Sequence, residues 1–321
     1  MAAQKEIAKA LGVSVMTVSR ALRNHPDMAE ATREQILRKA AELGYLGAGG
    51  RNGLSLPTRV GILAYEPDKS SFHWNTGVSR KIFASIQKEC KRHGVEVMVE
   101  SIFPGEIPLL VKNRTVDRAF IFGRYTPEAI DQLKRVSCLA ISSYIACEGL
   151  PRIVADNEGG IIATTEHLIR LGHRKILFLG MEERFTTELY RAREAGYVAA
   201  MNRHGLSPLV RLSPDVDSEI SPFMEDIEAS TAVVCATDHQ AFLLDRHLRK
   251  LNWNLPQQCS ITGFDNADWE SEQLTTYAPN WGLMGKLAVE LLLLSVESLA
   301  HESVKIVVPG KLIERESTAA L

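Results

Sequence analysis

No apolar run in these 321 residues reaches the ~18 that a membrane span needs. The longest, around 287–299, is broken by Glu290, Ser295 and Glu297. A secretory leader pattern is lacking as well. Gln4, Lys5 and Glu6 stand where its apolar stretch would begin, so the expected location is cytoplasmic. Cysteine is scarce. Cys90, Cys138, Cys147, Cys235 and Cys259 are scattered, odd in number and free of any Cys-x-x-Cys pair, which points to reduced, buried thiols rather than a disulfide frame or a metal knot. The nine histidines show no ligand spacing, so no metal is expected; His167 and His173 are read as structural. P-loop, dinucleotide fingerprint, paired-carboxylate and nucleophile–base motifs are missing too, which leaves no cofactor and no enzymatic chemistry to expect.

What is present is ordinary globular composition, 45% hydrophobic and 24% charged, in a chain long enough for two or three domains. Charge is unevenly spread. Residues 1–59 carry nine Lys/Arg against five Asp/Glu, a balance of +4, which leaves −6 for the rest. A basic head on an acidic body suits a polyanionic partner for the head.

Residues 4–11 place Ile7, Ala8 and Leu11 on one helical face, and Gly12 suits the left-handed stop that follows. Ser14 stands at an N-cap, opening a short helix over 15–23 whose apolar stripe is Val18, Ala21 and Leu22. A third helix is predicted over 30–43, with Ile36, Leu37, Ala40 and Leu43 inward. Two short helices joined by a tight turn make a helix-turn-helix, whose second helix enters the DNA major groove. The residues expected to meet DNA are Ser14, Val15, Met16, Thr17, Ser19 and Arg20. Arg20 offers a bidentate fork to guanine, Val15 and Met16 offer apolar contact to thymine methyls, and the three hydroxyls suit phosphates.

From residue 60 the pattern changes. Short apolar runs (59–65, 96–101, 118–122, 138–142, then 175–179, 232–236, 260–264) alternate with amphipathic segments (78–92, 127–135, 160–171, 188–204, 238–251). Such alternation predicts parallel sheets with helices on both faces, in two series and therefore two doubly wound lobes. Ligands of open α/β sheets bind beyond the strands' carboxyl ends.

Motifs from residue 4 to 318 resemble the lactose-repressor (LacI/GalR) family. They include 6–22 (Glu-Ile-Ala-Lys-Ala-Leu-Gly-Val-Ser-Val-Met-Thr-Val-Ser-Arg-Ala-Leu), 41–45, 154–160, 167–176, 193–197, 235–238, 260–265, 274–276 and 312–318. The resemblance implies an all-α helix-turn-helix headpiece (1–45), a hinge (46–59), and an α/β periplasmic-binding-protein-like body (60–321). Lobe one would span about 60–156 and 281–305, lobe two about 157–280 and 306–321, with three crossings. In the hinge, Leu54 falls where the family wedges a leucine into the minor groove, but Gly49, Gly50 and Gly53 oppose a helix there, and a flexible glycine linker stands as the alternative.

For the body the resemblance implies an effector site built from Arg193, Thr237 and Asp265, with Phe72, His73 and Trp74 after the first strand and Trp281 near the crossover. Trp74 and Trp281 also fit a core or a lid, and Tyr144, Phe185 and Trp269 are further aromatics near strand ends. Aromatics with a few convergent polar groups suit a sugar or another flat, hydroxylated ligand. The expectation is a sequence-specific transcription repressor whose affinity for a near-palindromic double-stranded operator is set by a small-molecule effector, a carbohydrate by this reading. A homodimer is expected over a tetramer, since no heptad extension follows the Glu-Ser-Thr signature. The alternative is a cytoplasmic sugar-binding protein or an enzyme on the same scaffold without DNA binding; a gel shift on promoter DNA separates them.

Overall fold

The computed structural model describes residues 2–22, 28–42, 57–66, 77–123, 125–133, 136–141, 150–182, 188–214, 220–266, 272–294 and 304–321. It divides into two compact units, Met1–Thr58 and Arg59–Leu321.

The first unit holds three helices: α1 (Ala2–Leu11), α2 (Val15–Leu22) and α3 (Glu30–Glu42). Ile7, Ala8, Val18, Ala21, Ile36 and Ala40 form its buried core, with Leu11, Val13 and Met28 packed around it. Gly12 takes φ +67°, a left-handed stop that a side chain would strain. The Val13 amide then bonds back to the Ala8 carbonyl at 3.1 Å and closes the α1 terminus.

The second unit contains two six-stranded sheets. In the first, β1 (Arg59–Tyr65), β2 (Glu96–Ile102), β3 (Arg118–Gly123), β4 (Ser137–Ile141), β5 (Arg152–Ala155) and β11 (Lys305–Val308) run in the order β11-β5-β4-β3-β1-β2, all parallel. The central strands β3, β4 and β5 are buried along almost their whole length, as expected where helices cover both faces. Helices α4 (Gly77–Arg92), α5 (Leu109–Lys112), α6 (Pro127–Asp131) and α11 (Trp281–Leu294) belong to this lobe.

In the second sheet, β6 (Ile176–Met181), β7 (Leu209–Ser213), β8 (Ala232–Cys235), β9 (Ser260–Phe264), β10 (Thr275–Pro279) and β12 (Gly310–Ile313) run in the order β12-β10-β9-β8-β6-β7. Helices α7 (Asn157–Arg170) and α8 (Glu188–Arg203) cover one face over a core including Ile161, Phe178 and Tyr197. Helices α9 (Met224–Glu228) and α10 (Asp238–Lys250) cover the other over Leu177, Ile227 and Leu244.

Two of the differences from the sequence reading concern topology. The second sheet is mixed, because β12 pairs antiparallel with β10. The last crossing falls at Pro309 rather than at 305/306, because all of β11 remains in the first sheet. Short edge strands carry little periodic signal, which explains both. All three crossings leave from strand carboxyl ends, those of β5, β10 and β11, and so bring these ends of both sheets to one junction.

Cys90, Cys138, Cys235 and Cys259 are free and buried, and Cys147 lies outside the described residues. Burial pushes Cys90 up to about 11 and Cys138 and Cys259 to about 12, so these thiols stay protonated. No described helix is long and apolar enough to cross a membrane.

Candidate nucleic-acid interface and effector site

In the first unit, Ser14 caps α2. Its Oγ accepts from the Thr17 amide at 2.9 Å and lies 2.8 Å from Thr17 Oγ1, while its carbonyl accepts from the Val18 amide. The helix turns Val18 and Ala21 into the core and leaves Val15, Met16 and Arg20 exposed; Thr17 and Ser19 are half-buried. Met16 is 64% exposed. Val15–Arg20 therefore offers an outward face with a basic end, as groove reading requires. Leu54 lies outside the described residues.

In the second unit, Arg193 and Asp265 meet at the carboxyl ends of β8 and β9. Arg193 sits on α8 and is buried. Its Nε donates to Asn157 Oδ1 at 2.9 Å, one Nη to the Ala236 carbonyl at 2.5 Å, and the other Nη to Asp265 Oδ1 at 3.3 Å. The guanidinium carbon stands 3.7 Å from the centre of the Phe264 ring, a close cation–π contact. The Asp265 contact is the longest of the three hydrogen bonds, and it is the one that pairs the guanidinium with an opposite charge.

Asp265 and Asn266 follow β9 with φ +132° and +46°, a pair of non-glycine residues in a region that side chains disfavour. The surroundings hold them there. The Asp265 amide donates to the Tyr277 carbonyl at 2.9 Å, and its own carbonyl accepts from Trp281 Nε1 at 2.8 Å. The Asn266 amide donates to Asp238 Oδ2 at 2.7 Å, and its side-chain oxygen accepts from Arg315 at 2.8 Å. The Asn266 carbonyl accepts from Lys81 Nζ, on α4 of the other lobe, at 2.6 Å. A second link between lobes joins Glu188, which opens α8, to Arg152 and to Lys305 at 2.8 Å. These two Glu188 contacts pull its carboxyl below the usual range against the opposing effect of burial.

Thr237 is buried and caps α10, its hydroxyl accepting from the Gln240 amide at 3.2 Å. Trp281 is buried with its indole N–H already bonded to Asp265. Both stand at the Arg193–Asp265 junction with their polar atoms engaged by the protein. Phe72, His73 and Trp74 lie outside the described residues, as do Tyr144, Phe185 and Trp269. Among the described residues no group of His, Cys, Asp and Glu is placed to hold a metal ion.

Comparison with known proteins fits this geometry at both ends. Residues 4–47 match the model of bacterial regulatory proteins of the lacI family, and residues 165–318 match that of a periplasmic binding protein-like domain. The chain is 28% identical over 343 residues to the HTH-type transcriptional repressor CytR of Escherichia coli strain K12, covering 100% of this chain and 97% of that one. It is 25% identical over 344 residues to the HTH-type transcriptional repressor PurR of Pasteurella multocida, covering 99% and 98%. Among solved structures, the lac repressor dimer bound to operator and an anti-inducer superposes with a TM-score of 0.65 at 22% identity, covering 98% of each chain. A complex of the transcriptional regulator CelR with cellobiose gives 0.66 at 20% identity, covering 98% of this chain and 99% of that one. The chain belongs to the LacI family.

As a LacI-family protein it is a DNA-binding transcription regulator with a two-lobed effector-binding body. The motif reading of this regulator singled out Arg193 and Asp265 but not Asn157, Asn266 or Lys81. Asn157 lay inside a quoted signature, Val154-Ala-Asp-Asn, which was its only signal. Lys81 and Asn266 are 185 residues apart, and no local pattern announces that they touch.

Proposed function

We propose that the protein is a cytoplasmic repressor acting as a homodimer on a near-palindromic operator. A hydroxylated small molecule, a sugar or sugar derivative, binds between its lobes and sets operator affinity; no reaction is catalysed. The observation that carries this is the Arg193–Asp265 junction: a fixed guanidinium beside a carboxylate, at facing strand ends, held by one long hydrogen bond. A pair of vicinal hydroxyls taking the place of that contact would accept from Arg193 with one oxygen and donate to Asp265 with the other. The structural likeness to a cellobiose-bound regulator supports that ligand class.

Seating a ligand there displaces the Asp265 contact and presses on Asn266. The Lys81 link passes that displacement to α4, and so to the lobe that begins at Arg59. Coupling of this type amounts to about 1–3 kcal/mol and is reciprocal between effector and DNA. The DNA-facing residues are Ser14 through Thr17 with Ser19 and Arg20, and the effector residues are Arg193 and Asp265, supported by Thr237 and Trp281.

Two variants test the division of labour, using thermal shift against a panel of sugars and fluorescence anisotropy on promoter DNA. Arg20→Ala is expected to weaken operator binding by roughly 10-fold or more and to keep the ligand-induced shift, since one bidentate base contact is worth about 1–3 kcal/mol. Arg193→Ala is expected to abolish the shift and keep DNA binding. Loss of the same function in both variants defeats the assignment.

A further inference from the structure

We propose that the body adds a second DNA contact, to backbone phosphates, made by the rim of the first lobe at which β1 begins. This rests on the DNA-reading assignment above and goes beyond it, since that assignment uses the headpiece alone. Strands β1, β2 and β3 start together: Arg59 pairs in register with Glu96, and Gly61 with Ala119. Helix α4 ends four residues before β2, and α5 ends six before β3, so both helix carboxyl ends reach the same rim. Lys88 and Lys91 on the last turns of α4, with Lys112 and Arg114 at and beyond the end of α5, are exposed there. None of the four has a carboxylate partner among the described residues. Two acids of the rim are already engaged, Glu96 by Arg59 at 2.8 Å and Glu89 by Arg92 at 3.0 Å, which leaves Asp117 against four cations. Cations at helix carboxyl ends also serve the helix dipole. Arg114 lies beyond that explanation. It closes α5 at φ +54°, its amide donating to the Val111 carbonyl at 3.0 Å, in a left-handed place that glycine fills without strain. An arginine held there argues for the charge rather than for the turn.

The partner of such a rim is a polyanion, and the chain favours the duplex. Residues 60–321 carry a net charge of −6, so the body as a whole repels DNA and this rim is a basic exception. The unit that holds the helix-turn-helix ends at Thr58, and β1 starts at the next residue, Arg59. A headpiece seated on DNA therefore tethers this rim to the duplex by the shortest path along the chain, which raises the effective concentration of phosphates around it. A second copy of the protein suits the rim less well, because a two-fold contact sets like charges against each other. Lysine and arginine on phosphates carry no sequence information. The rim thus adds affinity and salt dependence, and leaves the choice of sequence to the headpiece.

The test uses the full-length protein, which first selects its preferred duplex from a random pool. Lys91→Gln/Lys112→Gln/Arg114→Gln is then compared with the parent on that duplex and on an unrelated one, by fluorescence anisotropy between about 50 and 200 mM salt. The variant is expected to bind both duplexes more weakly by the same factor. Its slope of log affinity against log salt is expected to be shallower by at least about 0.9, the value of one phosphate contact. Lys175→Gln/Lys250→Gln/Lys311→Gln removes the same charge from exposed positions of the second lobe and is expected to keep the parent's slope. Arg114→Gly separates charge from folding: it suits the turn, so its urea midpoint should equal or exceed the parent's while its DNA affinity falls. An unchanged slope in the rim variant, or an equal loss in the second-lobe variant, overturns the phosphate contact while leaving headpiece recognition intact. A rim variant that keeps its slope but changes its mass in solution overturns it too, and gives the rim to a protein partner. Failure to enrich any duplex removes the DNA-reading assignment itself, and this inference with it.

Discussion

Arg193 is held on four sides: by the Asn157 side chain, the Ala236 carbonyl, the Asp265 carboxylate and the face of Phe264. A planar fork meets all four at once; an ammonium on a flexible stem does not. Arg193→Lys keeps the charge and is expected to lose most of the ligand response, with effector affinity falling roughly 10-fold or more, since a hydrogen bond to a charged group contributes about 1.5–3 kcal/mol. Operator binding without ligand is expected to remain within twofold. Isothermal titration with the ligand found by thermal shift checks this, and a Lys variant that titrates like the parent would show that the fork is not used. Arg193 and Asp265 were legible because each sits in a motif. The strained backbone at Asp265 and Asn266 was not, because aspartate and asparagine are common in turns and do not declare a left-handed residue on their own.

At the scale of elements, α7 and α8 determine where Arg193 and Asn157 meet. They pack closely because Gly196 has no side chain: a Cβ there would stand 2.4 Å from the Glu158 carbonyl oxygen, which is backbone and cannot rotate away. Gly196→Ala would gain about 1 kcal/mol of helix propensity but suffer overpacking of about 1–3 kcal/mol. The clash should win, because relieving it requires a helix shift. The expected result is a lower urea midpoint together with a weakened effector response, as Asn157 is pushed off Arg193. A variant as stable and responsive as the parent would mean that the helices slide freely. Helix α8 and strands β1, β8 and β9 were readable from their apolar runs almost to the residue. Strands β5, β7, β10, β11 and β12 were not identified. Each has only four or five residues; β7 is half-buried along most of its length, and β10 reads Thr-Thr-Tyr-Ala-Pro, with little aliphatic content. Helix α11 was also missed, because it is apolar on nearly every side and lacks the one-faced period.

On the scale of the molecule, the chain re-enters the second lobe at Pro309 and finishes across its base, held there by buried histidines. His167 Nε2 lies 3.0 Å from Thr318 Oγ1, His173 Nε2 lies 3.1 Å from the Ala319 carbonyl, and the Leu321 amide donates to Leu171 at 2.9 Å. The motif reading took both histidines as structural, and these contacts show what they hold. Burial lowers both pKa values below the usual 6.5, opposed at His167 by Glu314 and at His173 by the Ala319 carbonyl. A histidine with a lowered folded pKa is neutral in both states above pH 6.5 and contributes no pH dependence there. As pH falls through 6.5 toward the folded value, the unfolded chain takes up the proton first and folded stability is lost, by at most about 1.4 kcal/mol per pH unit for each histidine. The carboxylates titrate lower, so the histidine effect is isolated by comparison with His173→Gln, whose amide can still donate to Ala319 and accept from Thr231. Urea unfolding of both proteins between pH 7.5 and 5 is expected to show a constant stability difference above pH 7. Below 6.5 the parent should lose ground to the variant. A difference that stays flat across the range, or that grows in the parent's favour, would mean that His173 accepts a proton in place and that the tail is fastened by its other contacts.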